Sequence, residues 1–134
     1  MERPNGRNAA TFNKNILVVD DDAGMLALTS MVLERAGFSV QKASSGQEAL
    51  ELVEHSTPDL FLLDVMMPDM DGIELCKRIR SNPRTHHTPV VFLSAHTEHS
   101  IMANGFEAGA TEYLAKPVSH KVLVAKVKGI LGLD

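Results

Sequence analysis

The sequence predicts an α/β domain: one doubly wound parallel sheet of five strands, with five helices covering both faces. Three observations carry that reading. Short apolar runs alternate strictly with stretches of helical spacing, five times over, and parallel strands need such crossover helices. The main runs are continuously apolar, as in strands buried on both faces. The 134 residues fit one compact domain, and 44% of them are apolar, enough for a sizeable core.

The first strand is expected at residues 16–19, Ile-Leu-Val-Val, stopped by three aspartates that make poor strand formers. A helix of about four turns follows over residues 23–36, with Met25, Leu26, Met31, Val32 and Leu33 at helical intervals and Gly37 at its stop. Phe38, Val40 and Ala43 mark a short second strand. Ala49, Leu50 and Val53 then give a helix over residues 46–55, ending before Pro58. The remaining strands are expected at residues 60–63, 90–93 and 113–115, each entered after polar, Gly or Pro punctuation. Helices fill residues 72–81 and 100–108. A last helix at 119–131 carries Val122, Leu123, Val127, Ile130 and Leu131 on one stripe.

Composition excludes several functions. Thirteen Lys/Arg against seventeen Asp/Glu give a net charge of −4, without the basic excess that direct nucleic-acid binding needs. The single cysteine, Cys76, cannot form an intrachain disulfide. No run of about 18 apolar residues is present, and the polar start, with Arg3, Pro4, Gly6 and Arg7, is not a signal peptide. A cytoplasmic protein without membrane contact is expected. Residues 1–14 read as a flexible leader and 15–134 as the domain, and no interdomain linker after Asn13 leaves room for an output domain in this chain.

In doubly wound sheets ligands bind beyond the carboxyl ends of the strands, so the residues following each run are the informative ones. They are Asp20, Asp21 and Asp22 after the first, Asp64 after the third, Ser94 after the fourth and Lys116 after the fifth. If the first and third strands are neighbours, carboxylates meet in one pocket, where two charges ~4 Å apart repel by about 4 kcal/mol at an effective dielectric near 20. A hard divalent cation would offset this, and Mg²⁺ suits an all-oxygen site with few protein ligands. Lys116 adds an ammonium and Ser94 a hydroxyl. Together these are the parts that bind a phosphoryl group during transfer, and a carboxylate can itself be the nucleophile.

Four segments carry a resemblance: Ile16-Leu17-Val18-Val19-Asp20-Asp21, Leu62 to Gly72 with Asp64 and Pro68, Leu93-Ser94-Ala95, and Tyr113-Leu114-Ala115-Lys116-Pro117. In this order at four strand ends they resemble the receiver domain of two-component response regulators, over residues 15–134. The resemblance implies a flavodoxin-like fold and Asp64 as phosphoacceptor, charged from a phosphohistidine on a histidine kinase or phosphotransfer protein. Mg²⁺ would be held by Asp21, Asp64 and the backbone carbonyl of Met66, with Asp20 acting through metal-bound water and Asp22 outside the site. Lys116 and Ser94 would hold phosphoryl oxygens, and a cis Lys116–Pro117 bond would aim the ammonium inward.

The added charge would draw Ser94 inward and let Tyr113 rotate into the vacated space, reshaping the face of the fourth helix, fifth strand and fifth helix. The output would be altered binding to an unidentified downstream protein, by a monomer or a phosphorylation-dependent dimer.

Other readings of single residues are structural. Asp22 is as good a helix cap as a ligand, and Asp71-Gly72 with Glu74 reads as a capping box. Met66, Met67 and Met70 suit adaptable packing, and their thioethers are too soft for Mg²⁺. His96 and His99 have a metal-binding spacing, but His86 and His87 precede the same strand that His96 follows, so the pairs fall at opposite ends of the sheet. His96 and Met66 are instead expected at the rim of the pocket, controlling access of water to an acyl phosphate. A competing function is a Mg²⁺-dependent aspartyl-phosphate phosphohydrolase, which needs a further general acid/base and a substrate cap that do not follow Asp64. A degenerate scaffold is disfavoured because every reactive residue is present, and a dinucleotide carrier because no G-x-G-x-x-G follows the first strand.

Overall fold

The computed structural model describes residues 11–133. Ten elements alternate along the described residues: β1 (Asn15–Val19), α1 (Ala23–Arg35), β2 (Ser39–Ala43), α2 (Gly46–His55), β3 (Leu60–Leu63), α3 (Gly72–Ser81), β4 (Val90–Ser94), α4 (His99–Glu107), β5 (Glu112–Ala115) and α5 (His120–Ile130). The strands form one parallel sheet in the order β2-β1-β3-β4-β5. The first and third strands are therefore neighbours, as the acidic pocket requires.

The two-residue repeat of the strands divides the core. Leu17, Val19, Phe61, Leu63 and Phe92 face one side and pack with Ala49 of α2, Leu75 and Ile79 of α3 and Ala108. Ile16, Val18, Leu60, Leu62 and Leu93 face the other and pack with Leu26 and Leu33 of α1 and Leu123 and Val127 of α5. No helix among the described residues is long and apolar enough to cross a membrane.

Element ends are set by local chemistry. Asp22, Ser45, Asp71 and Ser119 cap α1, α2, α3 and α5, each accepting the amide three residues on. Glu74 pairs with Arg78 at 3.2 Å. Gly37, at φ 113°, closes α1: its amide donates to the Glu34 carbonyl and that of Phe38 to the Leu33 carbonyl. Phe38 is thus held under α1, and β2 begins one residue after it.

Two boundaries differ from expectation in ways that bear on the site and on the leader. Ser94 is the last residue of β4 rather than the first beyond it, because it pairs with Ala115 and its carbonyl accepts the Lys116 amide at 2.9 Å. Phe12, assigned to the leader, belongs to the fold. Its amide donates to the Gly37 carbonyl, its ring packs against Phe38 at 5.1 Å, and Lys128 Nζ lies 5.1 Å from the ring centre. Residues 1–10 of the leader expected over residues 1–14 lie outside the described residues.

Candidate functional site

Strand register brings the acidic residues together. Val19 pairs with Leu63, so Asp20 and Asp64 leave adjacent strands side by side, and the Asp64 amide still donates to the Val19 carbonyl at 3.0 Å. Carboxylate oxygens of Asp20, Asp21 and Asp64 all lie within 4.8 Å of one another. Asp20 is the buried member. Its Oδ1 accepts the Asp22 amide at 2.9 Å, and Asp21 is left exposed at the lip. Asp22 turns away to cap α1, accepting the Met25 amide at 3.1 Å.

Lys116, at the end of β5, reaches across to these carboxylates. Its Nζ donates to Asp20 Oδ2 at 3.0 Å and faces Asp64 Oδ2 at 3.5 Å, with side chains only 15%, 8% and 14% exposed. The Lys116–Pro117 peptide is cis. Burial pulls the lysine's pKa down, but its hydrogen bond to Asp20 and the charges of Asp64 and Asp20 outweigh it and hold the ammonium above its ordinary value. Three carboxylates against one ammonium leave negative charge uncompensated. All the donors are oxygens and one side is open through Asp21, so the set fits a small hard cation. The histidines form no comparable cluster among the described residues.

Asp64 itself is asymmetric. Its Oδ1 accepts the amide of Val65 at 2.7 Å, and Oδ2 is the oxygen turned to Lys116. Immediately behind it, Gly72 at the start of α3 donates its amide to the Val65 carbonyl at 2.6 Å. A Cβ on Gly72 would lie 2.0 Å from the Asp64 carbonyl oxygen, so only glycine fits. The Asp-Gly pattern signals a helix start in the sequence and conceals this close approach.

On the β4 side, Ser94 is fully buried and its Oγ accepts the His96 amide at 3.1 Å. The Tyr113 hydroxyl donates to the His96 carbonyl. The tyrosine ring, expected to rotate inward, is already inside, packed against Phe92 at 5.6 Å and over Gly105, whose missing side chain leaves it room. Burial pushes the Tyr113 phenol above its ordinary value, against a hydrogen bond with Ser94 and with help from the charges of Asp64 and Glu98. Met66, two residues beyond Asp64, is 47% exposed, and His96, two residues beyond Ser94, is half-buried. His86 and His87 stack edge to face at 4.6 Å in the loop before β4, away from His96.

One contact has no counterpart in the sequence reading. Asp69, in the loop between β3 and α3, accepts the amides of Gly46 at 3.3 Å and Gln47 at 3.0 Å, at the start of α2. Partners 22 and 23 residues away leave no local pattern to find.

The family model for the response regulator receiver domain matches residues 16–128. The alkaline phosphatase synthesis transcriptional regulatory protein PhoP of Bacillus subtilis (strain 168) is 44% identical over 120 residues, which are 90% of this chain and 49% of that protein. The transcriptional regulatory protein ResD of the same organism is 41% identical over 121 residues, with the same coverage. The chain therefore spans about half the length of these curated relatives. Among solved structures, a putative response regulator from Chloroflexus aurantiacus J-10-fl matches with a TM-score of 0.85 at 42% identity, over 90% of this chain and 98% of that one. The chemotaxis protein CheY4 of Vibrio cholerae matches with a TM-score of 0.85 at 30% identity, over 88% and 98%.

Proposed function

The chain belongs to the response regulator receiver domain family, and from that premise we propose that it is a phosphorylation-controlled switch whose phosphoacceptor is Asp64. The observation that carries the reading is the meeting of Asp64 with Asp20, Asp21 and Lys116 at the carboxyl ends of the sheet. The donor is a phosphohistidine on a histidine kinase or phosphotransfer protein.

With Oδ1 engaged by the Val65 amide, Asp64 Oδ2 is the oxygen presented to phosphorus. The oxygen–phosphorus bond forms as the donor's phosphorus–nitrogen bond breaks, and the leaving imidazole keeps the electron pair. Lys116 passes from Asp20 to an incoming phosphoryl oxygen, and the Ser94 hydroxyl donates to another. Asp21, Asp64 and the Met66 carbonyl would hold Mg²⁺, with Asp20 acting through metal-bound water, and the ion would supply the charge neutralisation that this crowded set of anions needs.

Output follows from Ser94. Its Oγ holds the His96 amide while Tyr113 holds the His96 carbonyl, so a Ser94 drawn to phosphate pulls on the loop before α4. The face of α4, β5 and α5 then binds a downstream protein differently, and the acidic balance of the chain argues against direct nucleic-acid contact by this domain.

Incubation with Mg²⁺ and acetyl phosphate, followed by intact mass, tests the reading. One base-labile phosphoryl group is expected, absent with EDTA and absent in Asp64→Asn. Labelling undiminished in that variant places the chemistry elsewhere. Turnover of small phosphate monoesters would point instead to a phosphohydrolase.

A further inference from the structure

The loop from Asp64 to Asp71 joins β3 to α3 and carries Met66 on its outer side. Its ends are fixed by Asp64 and by the tight seat of Gly72. Val65 and Met67 are buried, anchoring the inner side, whereas Met66 and Pro68 are exposed. The outer arc is tied down by Asp69. Its two carboxylate oxygens take the amides of Gly46 and Gln47, and Ser45 Oγ takes that of Glu48. Two of the otherwise partnerless amides in the first turn of α2 are thus satisfied by a residue of another element.

Gly46 also lets the loop come close, since a Cβ there would lie 3.1 Å from Met70 Cβ and Sδ. The Gln47 amide, against slight desolvation and with help from Gly46, holds the Asp69 carboxyl below its ordinary range.

We propose that Asp69 is a positioning residue for the divalent cation: by fastening the loop to the start of α2 it holds the Met66 carbonyl in place at the acidic pocket. The inference rests on the reading above, in which that carbonyl is one of the cation's ligands. A loop already ordered has less conformational entropy to lose when the cation binds, so the tie is expressed as affinity.

Calorimetric titration of the full chain with Mg²⁺ alone tests this in the wild type, Asp69→Ala, Asp69→Asn and Gln47→Pro. Asp69→Ala removes acceptor and charge together, and affinity should fall about five-fold, the effect of a lost helix cap. Asp69→Asn removes the charge but keeps an acceptor oxygen, and should stay within about two-fold of wild type. Gln47→Pro deletes one donor from α2 at a first-turn position that tolerates proline, and should weaken Mg²⁺ about two-fold without altering the loop's sequence. Hydrogen exchange at the Gly46 amide should quicken in Asp69→Ala. Unchanged affinity in Asp69→Ala overturns the proposal, as does an Asn variant as weak as the Ala one, which would assign the effect to charge. A wild type that takes up no Mg²⁺ overturns the parent reading, and this one with it.

Discussion

Lys116 Nζ donates to Asp20 Oδ2 at 3.0 Å, a contact that runs from the edge strand β5 across the ends of β4 and β3 to β1. Asp64 is the farther partner, at 3.5 Å. The ammonium therefore stands where a cation among the three carboxylates would compete with it. In Lys116→Met the carboxylates lose their internal counter-charge, and Mg²⁺ should bind about five- to ten-fold more tightly while phosphoryl uptake from acetyl phosphate slows. The variant should also lose about 2 kcal/mol of stability in the absence of Mg²⁺, the worth of a charge-assisted hydrogen bond to a buried carboxylate. Titration calorimetry and urea unfolding read the two effects. Equal Mg²⁺ affinity in variant and wild type would show that the lysine does not oppose the cation.

The same pair sets a pH dependence. Lys116 titrates above its ordinary 10.5 in the folded state, so the folded protein holds this proton more tightly than the unfolded chain. Its stabilisation is fully present below about pH 10.5 and is lost as pH rises through the higher folded value. Urea unfolding of wild type and Lys116→Met should give a stability difference that is constant from neutral to mildly alkaline pH and shrinks above the lysine's ordinary value. A difference that shrinks on acidification first would locate the coupling in a carboxylate.

The strand ends were legible because each reactive residue directly follows an apolar run, and a doubly wound sheet gathers those ends on one side. Asp22 was legible as a cap for a similar reason, since caps are local. What could not be read was which aspartate turns inward. Asp20 and Asp21 look alike in sequence, and the Asp22 amide on Asp20 Oδ1 distinguishes them only in three dimensions. Phe12 is a lone aromatic in a polar stretch, and nothing local announces that Phe38 and Lys128 receive it. Tyr113 read as a switch, but its inward position depends on the cleft over Gly105, made by a different element.

Gly72 gives the sharpest steric prediction. In Gly72→Ala the new methyl would meet the Asp64 carbonyl oxygen at 2.0 Å and the Phe92 ring at 3.0 Å, so α3 or the end of β3 must move. A loss of about 3 kcal/mol in urea unfolding is expected, at the upper end for overpacking. Mg²⁺ affinity should fall with it, because the displaced backbone is that of Asp64. Gly129→Ala is the matched control: nothing lies within 4 Å of its Cβ position on α5, and alanine there should stabilise by a few tenths of a kcal/mol or more. A Gly72→Ala protein as stable as wild type would mean that α3 slides freely over β3.

Met66 and His96 each stand two residues beyond a site residue, Asp64 and Ser94, Met66 exposed and His96 half-buried. The His96 backbone is pinned at both its amide, by Ser94, and its carbonyl, by Tyr113, which fixes where its side chain starts. In the proposed site, water that hydrolyses an acyl phosphate on Asp64 would pass these two side chains. Replacing both by alanine should therefore shorten the half-life of the phosphorylated protein about three- to ten-fold, equivalent to about 1 kcal/mol in the barrier. Decay is followed by intact mass after removal of acetyl phosphate. Mg²⁺ affinity is the control, and should stay within about two-fold, because the ligand proposed at Met66 is its backbone carbonyl and none is proposed at His96. Equal half-lives in the double variant and wild type would remove the rim from the control of phosphoryl lifetime and leave Lys116 and Ser94 as the groups that set it.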